Sequence, residues 1–166
     1  MKKWLILSCL FLLSACGFNL RGVELTDTLL PYHRWAVEDA KGMYNPIKYE
    51  LKRRQDVEVV DAAQSQAILR VLEESTDRRS QSLNLEGSTT EYLMTLNVTI
   101  RIEQGGMIVS EPMSVQVRRF MKYSDNEILS KDDEEQKLWQ DMRREAAAQL
   151  ILRIAMVNAA DLRVRQ

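Results

Sequence analysis

The chain has 166 residues and a formal net charge of −1 at pH 7, with 28% charged and 45% hydrophobic residues. This size fits one ordinary domain with a hydrophobic core. A balanced charge makes a poor general binder of polyanions, which argues against nucleic acid as a partner. The sequence holds two cysteines and one histidine, His33, and no GxSxG, HExxH, Walker or dinucleotide motif. We predict no catalytic residues, metal ligands or cofactor, although the paired carboxylates of a hydrolase leave no sequence signature.

The first fifteen residues are typical of a cleaved export signal. Lys2 and Lys3 precede an apolar run over residues 4–13, and Ser14 and Ala15 are small residues at the cleavage position. The run is too short to span a bilayer, which takes about 20 apolar residues.

Residues Leu13-Ser14-Ala15-Cys16 resemble the lipobox of bacterial lipoproteins. The resemblance implies that Cys16 begins the mature chain and carries a thioether-linked diacylglycerol and an amide-linked acyl chain, such as palmitate. Two or more acyl chains anchor a protein stably, whereas one binds only marginally. Gly17 rather than an aspartate follows Cys16, which implies transport to the outer membrane. The alternative is an ordinary secretory signal that happens to precede a cysteine.

These features predict three segments. Residues 1–15 form a signal peptide that is removed, residues 16–30 form a lipidated tether, and residues 31–166 form a single α/β domain. Because Cys9 is lost with the signal and Cys16 carries lipid, the mature chain has no free thiol and no disulfide.

The domain is predicted to begin with a strand over residues 32–38, in which Trp35 and Val37 share a face. A short helix follows, with Asn45 as its N-cap and Pro46 at its first position. Its charged end lies before a short strand over residues 57–60. A third strand over residues 67–72 is predicted to continue as a polar arm.

At the start of that helix, Tyr44 and Tyr49 are placed to form a hydrophobic staple. Ile47 and Leu51 lie four residues apart and are predicted to face the core.

The clearest strand covers residues 92–102. Every second residue is apolar, and the positions between them carry Thr95, Asn97, Thr99 and Arg101. This period of two is typical of a half-buried strand. The polar face is suited to contact either a polar wall or solvent, and the sequence leaves both possibilities open.

A hairpin at residues 104–106 leads into a return strand over residues 107–121. Pro112 predicts a bulge or an edge position early in that strand. The alternation breaks at Arg118-Arg119-Phe120, which predicts another bulge or the end of the strand.

The last element is predicted to be a long helix from about Lys131 to Asn158, with Ser130 as its N-cap. Apolar residues recur every four positions along it, at Leu138, Met142, Ala146, Leu150 and Ile154. The order β-α-β-β-β-β-α predicts an α/β (α+β) fold. We expect four to five strands in a mixed or antiparallel sheet, with two helices packed on one face.

The segment Cys16-Gly17-Phe18-Asn19-Leu20-Arg21-Gly22 resembles the start of the LptE family of lipopolysaccharide-assembly lipoproteins. The resemblance continues along the chain at Asn45-Pro46-Ile47, Thr90-Glu91-Tyr92, Leu96-Asn97-Val98, the run 130–134 and the run 142–150. The first helix is shorter here than the family pattern leads us to expect.

The resemblance implies that the protein sits with the LptD β-barrel in the outer membrane. There it would plug the barrel lumen, help the barrel to fold and assist insertion of lipopolysaccharide into the outer leaflet, without catalysis or a cofactor. The implied partners are LptD, lipopolysaccharide and, through Cys16, the membrane. The alternative is a lipid-anchored periplasmic module that binds envelope glycan or lipid without a barrel.

The resemblance also places a lysine beside the loop that enters the last helix, and Lys131 occupies that position. We therefore predict that Lys131 contacts a lipid A phosphate. Arg78, Arg79, Arg118 and Arg119 are the other local cations, since guanidinium groups suit phosphate. For each of the five, the alternative is a solvated surface charge.

Overall fold

The computed structural model describes residues 30–85, 87–123 and 128–156, and all their side chains except those of residues 128–131. The signal peptide, Cys16, nearly all of the predicted tether and residues 157–166 lie outside the described residues. None of the helices among those residues is long and apolar enough to cross a membrane.

Six strands and two α-helices make up the described part of the chain. In chain order they are β1 (Arg34–Glu38), α1 (Tyr44–Lys52), β2 (Glu58–Val59), β3 (Ala67–Leu83), β4 (Thr89–Gln104), β5 (Met107–Ile108), β6 (Met113–Lys122) and α2 (Ile128–Met156). Short 3-10 helices cover Lys41–Met43 and Ala62–Gln64. The predicted element order is confirmed, except that the return strand predicted over residues 107–121 is divided into β5 and β6.

The strands form one mixed sheet in the order β2-β1-β3-β4-β5, and β6 also pairs with β4. β1 is parallel to both of its neighbours, β2 and β3, whereas β4 runs antiparallel to β3, β5 and β6. Gly105 and Gly106 make the predicted hairpin between β4 and β5, and both have positive φ. Glycine adopts this conformation without the steric cost that a side chain brings.

A single hydrophobic core lies between the helices and one side of the sheet. The apolar residues of β4 from Met94 to Ile102 are fully buried, as their period of two predicted. Ile47 and Leu51 of α1 join the same core, as do the α2 residues Met142, Ala146, Leu150 and Ile154. The two helices therefore pack on one face of the sheet, as predicted.

The predicted start of α1 is wrong. The 3-10 helix Lys41–Met43 leads directly into α1, whose N-cap position is Met43, and no side chain caps it. Asn45 and Pro46 thus lie inside the first turn. No staple fixes this end, because the Tyr44 and Tyr49 rings are 39% and 60% exposed.

The predicted break in the return strand is also wrong. β6 pairs with β4 without a register shift from Met113 to Lys122. The alternation fails because Arg119 occupies a helix-facing position, between the buried Val117 and Met121. The real interruption of the return strand is between β5 and β6, around Pro112, as proline predicted.

The last helix begins earlier than predicted. α2 starts at Ile128, so Ser130 lies within the helix and is not its N-cap. Its apolar stripe is confirmed, since Met142, Ala146 and Leu150 are fully buried.

A β-bulge at Leu72 divides β3 into two halves. Val71 pairs with Ile100 and Glu73 pairs with Thr99, so Leu72 is an extra residue without a partner in β4. One extra residue exchanges the two faces of a strand. Before the bulge Leu69 faces the core, and after it the even-numbered residues from Glu74 to Arg78 face the helices.

An ion cluster around Arg70 joins three strands on the other side of the sheet. Arg70 Nη2 lies 2.7 Å from Glu38 Oε2 and Arg70 Nε lies 2.9 Å from Glu103 Oε1, while Asp39 is a third partner. Arg101 also reaches Glu103, at 2.6 Å. Hydrogen bonds from Arg70 hold the pKa of Glu103 below its ordinary value and raise the pKa of Arg70.

We expect Glu103→Gln to lower the free energy of unfolding by about 2 kcal/mol at neutral pH, because Arg70 and Arg101 both lose the charge of a carboxylate whose side chain is only 10% exposed. The pKa of folded Glu103 lies below the ordinary glutamate value of 4.5. The carboxylate therefore adds stability above that value, and this contribution disappears as the pH falls through the lowered pKa. Urea unfolding of both proteins should show their difference shrinking from about pH 7 to about pH 3. A difference that stays constant over this range would contradict the assignment.

Candidate functional site

The side of the sheet that faces away from the helices is polar and internally hydrogen-bonded. Gln116 Nε2 donates to Asn97 Oδ1 at 2.7 Å, and Asn97 Nδ2 donates to Ser75 Oγ at 3.5 Å. Thr99 and Ser114 share a hydrogen bond of 2.9 Å. These bonds run across β3, β4 and β6, so the polar groups keep partners whatever the surface meets. We call this surface the open face.

An apolar pair, Leu93 and Phe120, lies among the polar groups of the open face. Phe120 is 62% exposed and pairs in register with Leu93, which is half-buried. On its other side, Leu93 pairs in register with Arg79 of β3, so Phe120, Leu93 and Arg79 form one row across three strands. Arg118, in the neighbouring row, donates to Gln116 at 2.7 Å. The open face thus presents an aromatic ring with two arginines on the rows around it.

The structure separates the predicted phosphate-binding cations into two groups. Arg79 and Arg118 lie on the open face, and Arg79 is paired at 2.6 Å with Asp77. Arg78 and Arg119 lie on the helix-facing side and bind glutamates of α2. Lys131 is the fourth residue of α2, and its side chain lies outside the described part of the structure.

Ion pairs connect the helix-facing side of the sheet to α2. Arg78 binds Glu135 at 2.6 Å, Arg143 binds Glu74 at 2.6 Å, and Arg119 binds Glu145. Sequence analysis missed Glu74, Glu135 and Glu145, because only the register beyond the Leu72 bulge shows which β3 and β6 residues meet the helix. In the sequence, the signal for these contacts was the run of polar residues in the predicted arm that continues the third strand.

The loop between β3 and β4 forms a tight turn around Asn84. Ser88 N donates to Asn84 Oδ1 at 2.8 Å, and Gly87 N donates to Asn84 O at 3.1 Å. Leu85 is fully exposed at the turn. The loop sequence carries no cation, so we place no phosphate contact there.

The buried acids do not have the environment of a general acid. Among the residues that the structure describes, Glu50 and Glu103 are the buried acidic ones, and each is paired with arginine. A general acid needs a raised carboxyl pKa, whereas the pKa of Glu103 is lowered. His33 is exposed, with its Nδ1 3.0 Å from the Asp56 carbonyl oxygen. Within the same described ranges, no group of three or more metal-binding side chains is placed to hold an ion.

Comparison with known proteins identifies the family. The LptE family model, described as lipopolysaccharide-assembly, matches residues 36–154. A relative named LPS-assembly lipoprotein LptE, from Pectobacterium atrosepticum, is 34% identical over 164 residues, covering 94% of this chain and 86% of the relative. The chain belongs to the LptE family. A protein of the same name from Yersinia enterocolitica is 29% identical and covers 92% and 74% of the two chains.

Solved structures of other bacterial lipoproteins share the LptE fold seen here. The solution structure of lipoprotein B from Nitrosomonas europaea has a TM-score of 0.69 at 23% identity, and covers 90% of this chain and 97% of that one. Rare lipoprotein B from Shewanella oneidensis has a TM-score of 0.63 at 22% identity, with 80% and 99% covered. The family is one of lipopolysaccharide-assembly lipoproteins and is not a known class of enzyme.

In this LptE-family chain, the Arg143–Glu74 pair should stabilise the packing of α2. The Glu74 side chain is 11% exposed and that of Arg143 is 26% exposed. We expect Arg143→Met to lower the free energy of unfolding by about 1–2 kcal/mol, because Glu74 then loses its partner in a mostly buried position. Chemical denaturation measures the change.

The matched control is Arg144→Met, since Arg144 pairs with Asp141 on the surface, where the side chains are 66% and 59% exposed. Its cost should stay below about 0.5 kcal/mol. Equal losses in the two variants would show that the Glu74 pair contributes no more than a surface pair.

Proposed function

We propose that this protein is the lipoprotein partner of an LptD β-barrel. It plugs the barrel lumen, assists the folding of the barrel and helps to insert lipopolysaccharide into the outer leaflet. Membership in the LptE family supports the lipopolysaccharide-assembly role. The partnership with a barrel rests further on the open face of the sheet.

The observation that carries the barrel proposal is the hydrogen-bonded row across the open face. The interior of an outer-membrane barrel is polar and hydrated. A plug must therefore present polar groups that do not lose their partners when they meet that wall. Ser75, Asn97 and Gln116 already satisfy one another, and Phe120 adds an exposed apolar contact beside them.

We place the protein at the outer membrane through Cys16. Lipid attached to that residue would hold the chain on the periplasmic leaflet, with the folded domain on the periplasmic side and inside the lumen. The Leu-Ser-Ala-Cys sequence and the position of Gly17 support this location.

We propose that Lys131 contacts a phosphate of lipopolysaccharide, with Arg79 and Arg118 as further cations. A cation forms a charge-assisted hydrogen bond to phosphate most readily when it is exposed to water or held by a weak partner that phosphate can replace. Arg79 has a 77% exposed side chain. Arg78 and Arg119 are weaker candidates for direct contact, because glutamates of α2 already bind them.

Capture of the C-terminally tagged chain from detergent-solubilised envelopes tests the barrel partnership. We expect a stoichiometric partner whose electrophoretic mobility changes on heating, as that of a folded β-barrel does. The tagged Cys16→Ser protein lacks the lipid anchor, so molecules that are not bound to a barrel should appear in the soluble fraction and not in the membrane fraction. Capture without a barrel would contradict the plug proposal and would favour a lipoprotein that binds envelope glycan or lipid alone.

Two surface variants locate the barrel contact within the same experiment. Phe120→Ser should reduce barrel recovery severalfold without altering the thermal unfolding of the isolated protein, because the ring is 62% exposed. Met107→Ser is the matched control, since Met107 is 55% exposed on the β4–β5 hairpin. Equal barrel recovery with both variants would argue against the open face as the contact.

For lipopolysaccharide, we expect Lys131→Asp to weaken binding to the Cys16→Ser protein about tenfold, because an attractive charge becomes repulsive. Outer-membrane permeability to large antibiotics should rise in cells that carry the same change in the lipidated protein. Lys137→Asp is the matched control, as Lys137 is an exposed residue of the same helix. Unchanged affinity and permeability in Lys131→Asp would remove Lys131 from the binding site.

A further inference from the structure

The two halves of α2 are held in different ways. The second half of α2 has six fully buried residues in the core: Met142, Ala146, Ala147, Leu150, Ile151 and Ile154. From residue 132 to residue 141, none of the side chains is buried, and Glu135, Leu138 and Trp139 are only half-buried. Full hydrophobic burial therefore fixes the second half of the helix, whereas the described part of the first half packs against the core through the half-buried Leu138 and Trp139 and needs further contacts to hold it.

A polar and aromatic cluster holds the first half of α2 to the sheet. Arg78 Nη1 lies 2.6 Å from Glu135 Oε2, and Trp139 Nε1 donates to Glu135 Oε1 at 3.1 Å. The Arg78 guanidinium also lies 4.7 Å from the centre of the Tyr92 ring. We call Arg78, Tyr92, Glu135 and Trp139 the distal clamp.

The distal clamp is itself anchored in the sheet. Arg78 pairs in register with the fully buried Met94, which places it on the helix-facing side. Tyr92 stacks edge-on against Tyr123, with ring centres 5.3 Å apart. A cation that is bound by both a carboxylate and an aromatic face loses much of its freedom to move. The distal clamp thus restrains the position of the neighbouring turns of α2 relative to the sheet.

We propose that the distal clamp positions Lys131. Lys131 precedes Glu135 by four residues, which is one turn of an α-helix. Fixing Glu135 against Arg78 therefore sets the position of the preceding turn of the α2 backbone, which contains Lys131. Arg78 is then a positioning residue for lipopolysaccharide binding and not a phosphate contact. This inference rests on the proposed binding role of Lys131.

Two variants of the Cys16→Ser protein distinguish positioning from direct contact. Arg78→Met and Glu135→Gln both open the clamp, so each should raise amide hydrogen exchange over residues 129–137 about fivefold. Exchange over residues 146–154 serves as an internal reference, because that half of the helix is fixed by the core. Each variant should also weaken lipopolysaccharide binding about fivefold.

Glu135→Gln is the decisive variant. If Arg78 bound phosphate directly, removal of Glu135 would free the arginine and remove a nearby negative charge, so affinity would stay the same or rise. A loss of affinity in Glu135→Gln supports positioning, whereas unchanged or increased affinity overturns it. Asp141→Asn is the matched control, since it removes the same charge from α2 at an exposed pair.

The exchange measurement separates this inference from the proposed function. Unchanged exchange over residues 129–137 in both variants would show that the clamp does not hold the helix, and would overturn the inference whatever the affinities. An unchanged affinity in Lys131→Asp would instead overturn the phosphate contact, and with it the binding role of the clamp.

Discussion

The extra residue at Leu72 determines how the sheet and the last helix meet. Ahead of it, Leu69 and Val71 face the core in the usual alternation of a half-buried strand. Beyond it, Glu74 and Arg78 take the helix-facing positions, opposite Val98 and Met94 of β4. Without the insertion these two charges would lie on the open face, and α2 would lose its ion pairs with β3.

This arrangement gives α2 two kinds of support. Apolar packing is nearly independent of pH and salt, whereas ion pairs at half-exposed positions are sensitive to both. The second half of the helix therefore shares the global stability of the domain, and the first half can open at lower cost. A segment that binds a ligand is commonly drawn from such a region of lower local stability.

Periodicity accounts for most of what the sequence could predict. The alternation in β4 and the four-residue repeat in α2 depend only on the residues of each element, and both are confirmed. The family also followed from sequence, since short motifs recur in the right order over most of the chain.

The errors arose where a local sequence pattern was overridden by residues outside it, either adjacent in the chain or in contact through the fold. Asn45-Pro46 has the composition of a helix start, but the preceding 3-10 helix extends the turn backward to Tyr44. Arg119 was interpreted as a break in β6, whereas Glu145 of α2 makes a charged residue acceptable on the buried side. The separation of adjacent Arg78 and Arg79 onto opposite faces likewise requires the strand register, which sequence alone does not provide.

Because Arg78 and Arg79 lie on opposite faces, the two sides of the sheet make different kinds of contact. On the open face, Ser75, Asn97 and Gln116 hydrogen-bond to one another across strands, so these three side chains keep partners when a polar surface covers them. The helix-facing side uses its charges to hold α2 in place. The adjacent arginines of β3 therefore have different roles. Arg79 is 77% exposed and pairs with the half-exposed Asp77 of its own strand, so it can face a partner, whereas Arg78 is bound within the fold to Glu135 of α2. A substitution of Arg79 can therefore leave the Arg78–Glu135 pair intact, because the two arginines lie on opposite faces of the sheet and have different partners.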